Sequence, residues 1–434
     1  MTTKAILLHQ RGNVGANVIW VAPLPRIEQD ALLPSIEAFR ARGYWASAFP
    51  QGDGITLRHE EYDDTNCLED VRSCFPWLSI DEVGQGQSVS QAMQRLNADR
   101  RLLIRYLVPA AKLLIYENIE LGPYKIHRPV VPHENPTWKH PWADEFLDVP
   151  GADIDPGWNP VKAPENSLAR LLGYPLIEGT IQVDARLLFP VGAGTAEWEP
   201  LALHVTEHAD RALDVLRHRF CDYRAPHSTP HHAGVLSDPE FRIAYLMPDA
   251  ADIKPHLIAA KPKVFEAVNV WLGLELDTSI SPMDERLAEI ASGIVANEIE
   301  ERIRGALRAR GQSFLLVSDE MRFVSMVFST DAVSFVGKKR GDEHRRHVAA
   351  AASGNKRNLY VEFLDMMKTL YPLRNDIIHK GASFRELEMD AKDVLVKMDE
   401  MLRLCIENAL ACGFDSGSAW ANAIAERAVR FEKS

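Results

Sequence analysis

The segment SISPMDE, residues 279–285, divides this 434-residue chain into two parts. Ser281, Pro282 and Asp284 supply a capping side chain, a proline suited to a first turn and an early carboxylate, which predict a helix start. Beyond it the sequence indicates helices over 284–309, 312–336, 342–352, 357–370, 372–380, 386–411 and 418–431. Glycines separate these stretches, so we predict that residues 282–434 form an all-α bundle of antiparallel helices.

The residues before this segment have a mixed pattern. Short apolar runs such as AILLHQ and LLIRYLV alternate with helix-like stretches, so residues 1–121 are predicted to be an α+β region. Proline, tryptophan and histidine crowd residues 122–164 and predict an irregular segment, because proline disfavours long helices and central strands. Residues 165–281 are predicted to mix strands with helix. Within them, 176–199 alternates like a strand pair around a Gly-rich turn, and 201–223 is an amphipathic helix pattern.

The charge is unevenly distributed. The net charge of -12 argues against a protein that coats nucleic acid. Residues 286–434 contain 23 Lys+Arg and 22 Asp+Glu, which leaves 26 (49 − 23) and 39 (61 − 22) for the rest. A neutral C-terminal part with local basic clusters is compatible with RNA, because binding depends on the charge near the groove.

The cysteines and the apolar stretches bear on the cellular compartment. The five cysteines are odd in number and scattered, with no C-x-x-C pair, which favours reduced thiols. The N-terminal apolar run is too short for a signal peptide, and no window near 20 residues is free of charge. We therefore expect a cytoplasmic protein without membrane contact.

The segment YPLRNDIIHKGAS, residues 371–383, carries the clearest chemical pattern. Pro372 can occupy the first turn of a short helix, and Gly381 can close that helix. Arg374 and Asn375 would then lie near the helix N-terminus, where unpaired N–H groups and the dipole favour a phosphate.

These side chains suit RNA cleavage by the RNA's own 2'-hydroxyl, which needs proton transfer and positive charge near the phosphorane. His379 can act as acid or base near neutral pH. Arg374 offers a charged planar donor for phosphate oxygens, and Asn375 can orient either partner. The reaction needs no metal and no other cofactor.

The helical spacing limits what one copy of the motif can do. Asn375 and His379 are about 40° apart on a helix, whereas Arg374 and His379 are about 140° apart. Pairing of two motifs across a dimer is therefore favoured. The alternative is that Arg374 and His379 only pair with carboxylates such as Asp376 or Glu362.

Two stretches carry a family resemblance: MRFVSMVFSTDAVSFV (321–336) and FLDMMKTLYPLRNDIIHKG (363–381). Together they resemble the ApeA-like branch of the HEPN superfamily over residues 321–410. The residues that match its motif are Tyr371, Arg374, Asn375 and His379. Gly381 follows one residue later than in the family pattern, and Asp331 stands where many relatives carry Glu.

The resemblance implies an all-α HEPN-type fold for the C-terminal region and a homodimer in which two motifs form one metal-independent endoribonuclease site. Arg374, Asn375 and His379 would be catalytic, with Asp331 and Tyr371 in support. It also implies RNA as substrate and a role in prokaryotic anti-phage defence, abortive infection or toxin action. Higher oligomers and a phage-derived trigger or regulatory protein are further expected partners, and the N-terminal region would sense or regulate.

The stretch KKRGDEHRRH, residues 338–347, is the strongest basic cluster. It is predicted to line an RNA path, and a solvated loop between helices explains it equally well. The RNA-binding candidates are Lys338, Lys339, Arg340, Arg345 and Arg346.

Two other functions remain open. One is a HEPN module without catalysis, used for dimerisation or partner binding in a defence or toxin-antitoxin complex. The other is a metal-dependent enzyme in the histidine-rich middle, although the spacings match no zinc module. The histidine-rich candidates are His204, His208, Cys221, His227, His231 and His232. The chain has no Walker lysine motif, no G-x-S-x-G and no H-E-x-x-H.

Overall fold

The computed structural model of this chain describes most of the C-terminal half and several separate stretches before it. The described residues are 3–11, 17–22, 45–48, 55–59, 78–85, 100–129, 173–188, 198–236, 242–249, 256–259, 273–276 and 280–433, with single positions and short pieces at 34, 37–38, 40–42, 73–74 and 171.

The first sheet is built from five short strands. They are β1 (Thr3–Arg11), β2 (Asn17–Ala22), β3 (Trp45–Ala48), β4 (Ile55–His59) and β5 (Leu78–Gln85). Their spatial order is β3-β4-β2-β1-β5, in which β1 pairs antiparallel with β2 and parallel with β5.

The second sheet forms the base of the central region. Its strands are β6 (Arg101–Pro109), β8 (Ile119–Leu121), β9 (Tyr124–His127), β10 (Leu176–Asp184), β11 (Ile243–Pro248) and β12 (His256–Ala259), in the order β12-β11-β6-β10-β9-β8. Two further strands, β7 (Leu113–Ile115) and β13 (Leu274–Leu276), pair in parallel. Together with the helices that follow, these sheets give the predicted α+β region followed by a helical region.

Helix α1 (Glu199–Phe220) packs on the second sheet and confirms the predicted amphipathic helix. Its apolar stripe is buried because the spacing of those residues places them on one face of the helix. The stripe includes Val205, Ala209, Ala212, Leu213 and Leu216, all fully buried.

One prediction in the central region is wrong, and a second one meets the described residues only at its start. The predicted strand pair over 176–199 is the single strand β10 followed by a 3-10 turn at Ala185–Leu188, and the Gly-rich stretch 189–197 lies outside the described residues. The predicted irregular segment 122–164 begins with β9, which lies inside the sheet; residues 130–164 lie outside the described residues. The proline before β9 occupies a two-residue hairpin turn with Gly122, whose φ is +56°, and so it interrupts no strand.

The C-terminal region consists of helices, as predicted. In the described residues they are α2 (Pro282–Ser292), α3 (Glu298–Ser313), α4 (Asp319–Val333), α5 (Gly341–Ser353), α6 (Arg357–Lys380), α7 (Ala391–Leu410) and α8 (Gly417–Lys433). The predicted start is confirmed, because the side chains of Ser281 and Asp284 form a capping box around Pro282. The predicted helix 284–309 is two helices, separated at Gly293, whose φ is +107°.

The predicted break before Pro372 is wrong, since α6 continues through it. Proline cannot donate the helical hydrogen bond, but Pro372 is exposed and its ring lies on the outer side of the helix. On the inner side Phe363, Met367, Leu370 and Ile377 continue one buried stripe past the proline. Burial of this stripe offsets the proline's cost of about 3 kcal/mol.

One apolar core runs from the second sheet through α1 into the helices. Polar contacts cross the same boundary: Arg310 of α3 is fully buried and binds Asp399 of α7 at 2.7 and 2.9 Å. Its Nη1 also donates to the carbonyl of Arg217 in α1. Among the described residues, no helix has the length and apolarity needed to cross a membrane.

Candidate active site

The last three turns of α6 carry the predicted catalytic residues. Leu373 and Ile377 are buried and fix the orientation of the helix. Asn375 is half-buried, and His379 is exposed. The helix ends at Gly381 with φ +69°, as the sequence predicted.

The expected location of the motif at a helix N-terminus is wrong. Because α6 begins at Arg357, Arg374 and Asn375 lie in its last turns, where carbonyl groups carry the negative end of the dipole. The positive charge for a phosphate must therefore come from side chains. In a continuous helix, Arg374 and His379 are about 140° apart and about 7.5 Å apart along the axis.

The Arg374 guanidinium is held by neutral neighbours. Its Nη1 donates to Oδ1 of Asn375 at 3.0 Å, and its Cζ lies 5.2 Å from the centre of the Phe328 ring. Its Nε is buried and has no hydrogen-bond partner in the described part of the chain. At least one donor of this arginine is therefore unused among the described residues.

The alternative reading of the motif was that Arg374 and His379 only pair with carboxylates on the helix surface. The described residues do not form such pairs. Asp376 accepts from Lys380 at 2.7 Å. Among the described residues neither Arg374 nor His379 is part of an ion pair. His379 is also without a hydrogen bond to any described residue, which leaves its ring accessible.

Asp331 and Tyr371 meet through a residue that the sequence did not single out. His344 of α5 is buried, its Nε2 lies 2.8 Å from Oδ1 of Asp331, and its ring packs 4.6 Å from the ring of Tyr371. The sequence placed His344 in the basic cluster. Its position on the inner face of α5, beside His347 and Val348, is the only signal that separates it from its charged neighbours.

The basic cluster is divided between a loop and a helix. Arg345 pairs with Asp342, and Arg346 pairs with Glu432 at 2.9 Å. Lys338, Lys339 and Arg340 precede α5, and in the described part of the chain they form no ion pair. Because His344 lies one turn into α5, this loop is on the same side of the bundle as Asp331 and Tyr371.

Apolar side chains are exposed next to the motif. They are Val317 just before α4, Met321 and Phe328 on α4, and Ile378 near the end of α6, with exposures of 98%, 56%, 48% and 36%; we call these four residues the apolar stripe. The Arg374–Phe328 contact places the end of α6 beside α4. Glu320 at the start of α4 accepts from the backbone of Phe384, just after α6, so the two helices are antiparallel here. Neighbouring exposed apolar groups of this kind are typical of protein interfaces.

No family model, curated protein or solved structure matches this chain. The resemblance to HEPN proteins therefore rests on the motif residues alone. It stays a prediction, as do the dimer and the RNA substrate.

In the histidine-rich middle, candidate metal ligands form hydrogen bonds with other side chains. His208 Nδ1 lies 2.7 Å from the Tyr106 hydroxyl, and burial lowers the pKa of His208 to about 4. His232 Nδ1 lies 2.9 Å from Asp210. Cys221 is buried, and burial raises the pKa of its thiol. Within the described residues, no three His, Cys, Asp or Glu side chains are grouped so as to hold a metal.

Proposed function

We propose that this protein is a metal-independent endoribonuclease that cleaves RNA through attack by the 2'-hydroxyl. The 2'-oxygen bonds to phosphorus while the P–O5' bond breaks, which leaves a 2',3'-cyclic phosphate and a 5'-hydroxyl. His379 passes the proton of the 2'-hydroxyl to the departing 5'-oxygen, Arg374 stabilises the phosphorane charge, and Asn375 holds the guanidinium in place. The observation that carries this proposal is the state of Arg374, a charged group fixed by Asn375 and Phe328 with no carboxylate partner among the described residues. Buried or half-buried arginines usually pair with carboxylates, so an arginine without a described carboxylate partner, on the same helix end as an accessible histidine, suits an anionic substrate.

The active form is proposed to be a homodimer. One helix separates Arg374 from His379 by about 140°, so the two cannot easily reach one phosphate. A second copy packed on the stripe of Val317, Met321, Phe328 and Ile378 would bring its own His379 towards Arg374. Burial of that stripe provides the apolar area for such packing.

Asp331, His344 and Tyr371 are assigned a supporting role. They join α4, α5 and α6 at the turn that precedes Arg374. This contact fixes the turn of α6 that precedes Arg374, and so it determines the direction in which the Arg374 side chain leaves the helix. The loop of Lys338, Lys339 and Arg340 would meet the RNA backbone nearby, because backbone contacts need only accessible positive charge.

Purified full-length protein tests the catalytic assignment directly. It should cleave single-stranded RNA in the presence of EDTA, and His379→Ala should lower the rate by about 100-fold or more, as loss of a general acid or base does. His204→Ala is the matched control, since His204 is also an exposed helical histidine. Equal cleavage by wild type and His379→Ala would contradict the assignment.

The exposed apolar stripe also favours a second candidate, a HEPN module that dimerises or binds a partner without cleaving RNA. The two candidates differ in one result. A protein that forms a dimer but leaves RNA intact, with and without EDTA, supports the binding module.

We further propose that RNA cleavage by this protein serves prokaryotic anti-phage defence or toxin action, and that the N-terminal region restrains or triggers it. The continuous core between α1 and the helices supports communication between the two regions. Growth arrest on expression of wild type, absent with His379→Ala, is the expected phenotype.

A further inference from the structure

Helix α4 ends at a phenylalanine whose backbone conformation usually requires glycine. Phe335 has a φ of +53°. Its N–H donates to the carbonyl of Ala332, and the N–H of Val336 donates to the carbonyl of Asp331; these are the two hydrogen bonds of a Schellman motif with Phe335 at the left-handed position. A side chain at this position is strained, because its Cβ crowds the backbone. Strain of this kind persists where the surrounding structure holds the residue in place, and it is concentrated at functional sites.

The helices around Phe335 are arranged to hold its ring. Gly417, the first residue of α8, has no Cβ, and a Cβ there would overlap the Phe335 ring. The backbone just before the ring is also fixed, because Nε2 of His347 in α5 donates to the Ser334 carbonyl at 2.8 Å. The end of α4 is therefore built around this aromatic side chain.

The Phe335 ring carries an arginine from α3. Cζ of Arg302 lies 5.4 Å from the centre of the ring, and Arg302 is exposed. Within the described part of the chain Arg302 forms no ion pair, whereas Arg304 on the same helix pairs with Glu301. A cation–π contact thus positions the Arg302 guanidinium without neutralising its charge.

This arrangement repeats the one at the candidate active site. Arg374 lies over Phe328 at 5.2 Å, much as Arg302 lies over Phe335. The two phenylalanines are seven residues apart along α4 and the turn that ends it, which corresponds to about 10 Å along the helix axis. Two positioned guanidinium groups, each without a carboxylate partner among the described residues, therefore lie along one helix.

Three more cations follow Phe335 in the connection to α5. They are Lys338, Lys339 and Arg340, and they form no ion pair with any described residue. The carboxylates nearest to these cations and to Arg302 along the chain, or to Gly417, are exposed; they are Glu298, Asp342, Glu343 and Asp415. Among the described residues only Asp342 of this group forms an ion pair, and its partner is Arg345. The surface at the end of α4 therefore presents cations that no described carboxylate contacts.

We propose that Arg302, held over Phe335, binds a phosphate of the RNA strand outside the bond that is cleaved. The strand runs from Arg374 along α4 to Arg302 and the cations of residues 338–340. This inference rests on the proposed nuclease, because that proposal supplies RNA as the polyanion. A guanidinium that is already positioned loses little side-chain freedom on binding, and contacts to the RNA backbone need only accessible positive charge. The contact is the same before and during cleavage, so it affects KM and not kcat.

Binding of an uncleavable RNA tests the role of Arg302. Fluorescence anisotropy measures the affinity of the full-length protein for a single-stranded 2'-O-methyl RNA oligonucleotide at several salt concentrations. Arg302→Gln should weaken binding about fivefold at about 0.1 M salt and reduce the slope of log affinity against log salt by about 0.7, as for one lost phosphate contact on a single strand. Arg304→Gln is the matched control and should leave both quantities unchanged, since Arg304 pairs with Glu301. Circular dichroism verifies that each variant folds.

Two further measurements test how Arg302 acts. Phe335→Leu keeps an apolar side chain and removes the face of the ring, so it should weaken binding of the oligonucleotide about two- to fivefold. With cleavable RNA, Arg302→Gln should raise KM by about the factor that it takes from the affinity and leave kcat unchanged. Unchanged affinity in folded Phe335→Leu would show that the ring does not position Arg302.

The outcomes separate this inference from the proposed nuclease. The inference is overturned if folded Arg302→Gln keeps the wild-type affinity and salt slope, if Arg304→Gln weakens binding equally, or if the wild type does not bind the oligonucleotide. A wild type that binds the oligonucleotide through Arg302 but leaves cleavable RNA intact refutes the nuclease and supports the inference.

Discussion

At the residue scale, the position of the Arg374 guanidinium depends on two neighbours of different kinds. Asn375 accepts a hydrogen bond from it, and Phe328 offers the face of its ring. Neither neutralises the charge. A carboxylate in either place would hold the arginine just as firmly but would compete with a phosphate for it.

Replacement of Phe328 by alanine should reduce RNA cleavage without unfolding the protein. Loss of an exposed cation–π contact costs about 0.5–1 kcal/mol, which corresponds to a roughly two- to fivefold lower kcat/KM. Val361→Ala, an equally exposed apolar truncation on α6, is the control. Both are compared on an RNA oligonucleotide at concentrations where their oligomeric states agree. An equal effect of the two variants would show that ring contact with Arg374 is irrelevant.

His344 should matter to stability because it is buried and bridges Asp331 to Tyr371. His344→Gln removes the ring that packs against Tyr371 and loosens the bond to Asp331, which costs on the order of 1–3 kcal/mol. Urea unfolding measures the loss. The exposed His204→Gln should change the free energy of unfolding by less than about 0.5 kcal/mol. Similar free energies of unfolding for both variants would show that His344 does not support the candidate site.

At the element scale, the close approach of α1 and α3 depends on one glycine. A Cβ at Gly311 would lie 2.1 Å from Oδ1 of Asp214, inside the buried ion pairs that join the two helices. A Cβ at Gly305 on the same helix would meet nothing within 4 Å. The sequence predicted only that glycines separate the helices, whereas Gly311 lies within α3.

These two glycines give opposite predictions. Gly311→Ala should lower the free energy of unfolding by about 1–3 kcal/mol, because the helices must separate to admit the methyl group. Gly305→Ala should raise it by up to about 1 kcal/mol through better helix propensity. Urea denaturation of both variants gives the signs. A stabilising Gly311→Ala would mean that the helices do not approach as described.

How far the sequence predicted these elements depends on the range of the interactions that form them. Helix starts such as Ser281–Asp284 and ends such as Gly381 are local and were predicted correctly. The partners of β10 lie at least 49 residues away, so its pattern was mistaken for a local hairpin. Pro372 was taken as a break, because the burial that carries α6 through it is tertiary.

The same difference between local signals and distant contacts applies to the residues of the candidate site. The motif residues and Asp331 are visible in the sequence. His344 and Phe328 are not, since their roles come from contacts between helices that are distant along the chain. The sequence also assigned Arg374 to the N-terminus of a helix, because it predicted a helix break before Pro372 that does not exist.

At the scale of the whole molecule, one core and a set of buried polar contacts unite the sheet with the helices. Two histidines packed at this core, half-buried His208 and buried His347, are held neutral. Burial lowers the pKa of His208 and of His347 to about 4. The unfolded chain, with ordinary histidines near 6.5, therefore binds protons in a range where the folded chain does not.

Stability should fall as pH decreases from about 6.5 towards 4. The upper limit is on the order of 3 kcal/mol per histidine, from a shift of about 2.5 units. Asp214, whose pKa is raised to about 7, acts in the opposite direction, because its protonation favours the folded state. Urea unfolding between pH 7.5 and 4 measures the net slope. The variant His208→Gln/His347→Gln should flatten it, and an unchanged slope would show that these histidines do not titrate as described.

The central claim is that Arg374 and His379 from two copies form one RNA-cleaving site. The most direct test measures RNA cleavage in EDTA by Arg374→Ala, by His379→Ala and by an equimolar mixture allowed to exchange subunits. Each variant alone should be inactive, and the mixture should regain part of the wild-type activity, because a mixed dimer contains one intact pair. Variants that retain wild-type cleavage, or a wild type that leaves RNA intact, would contradict the account.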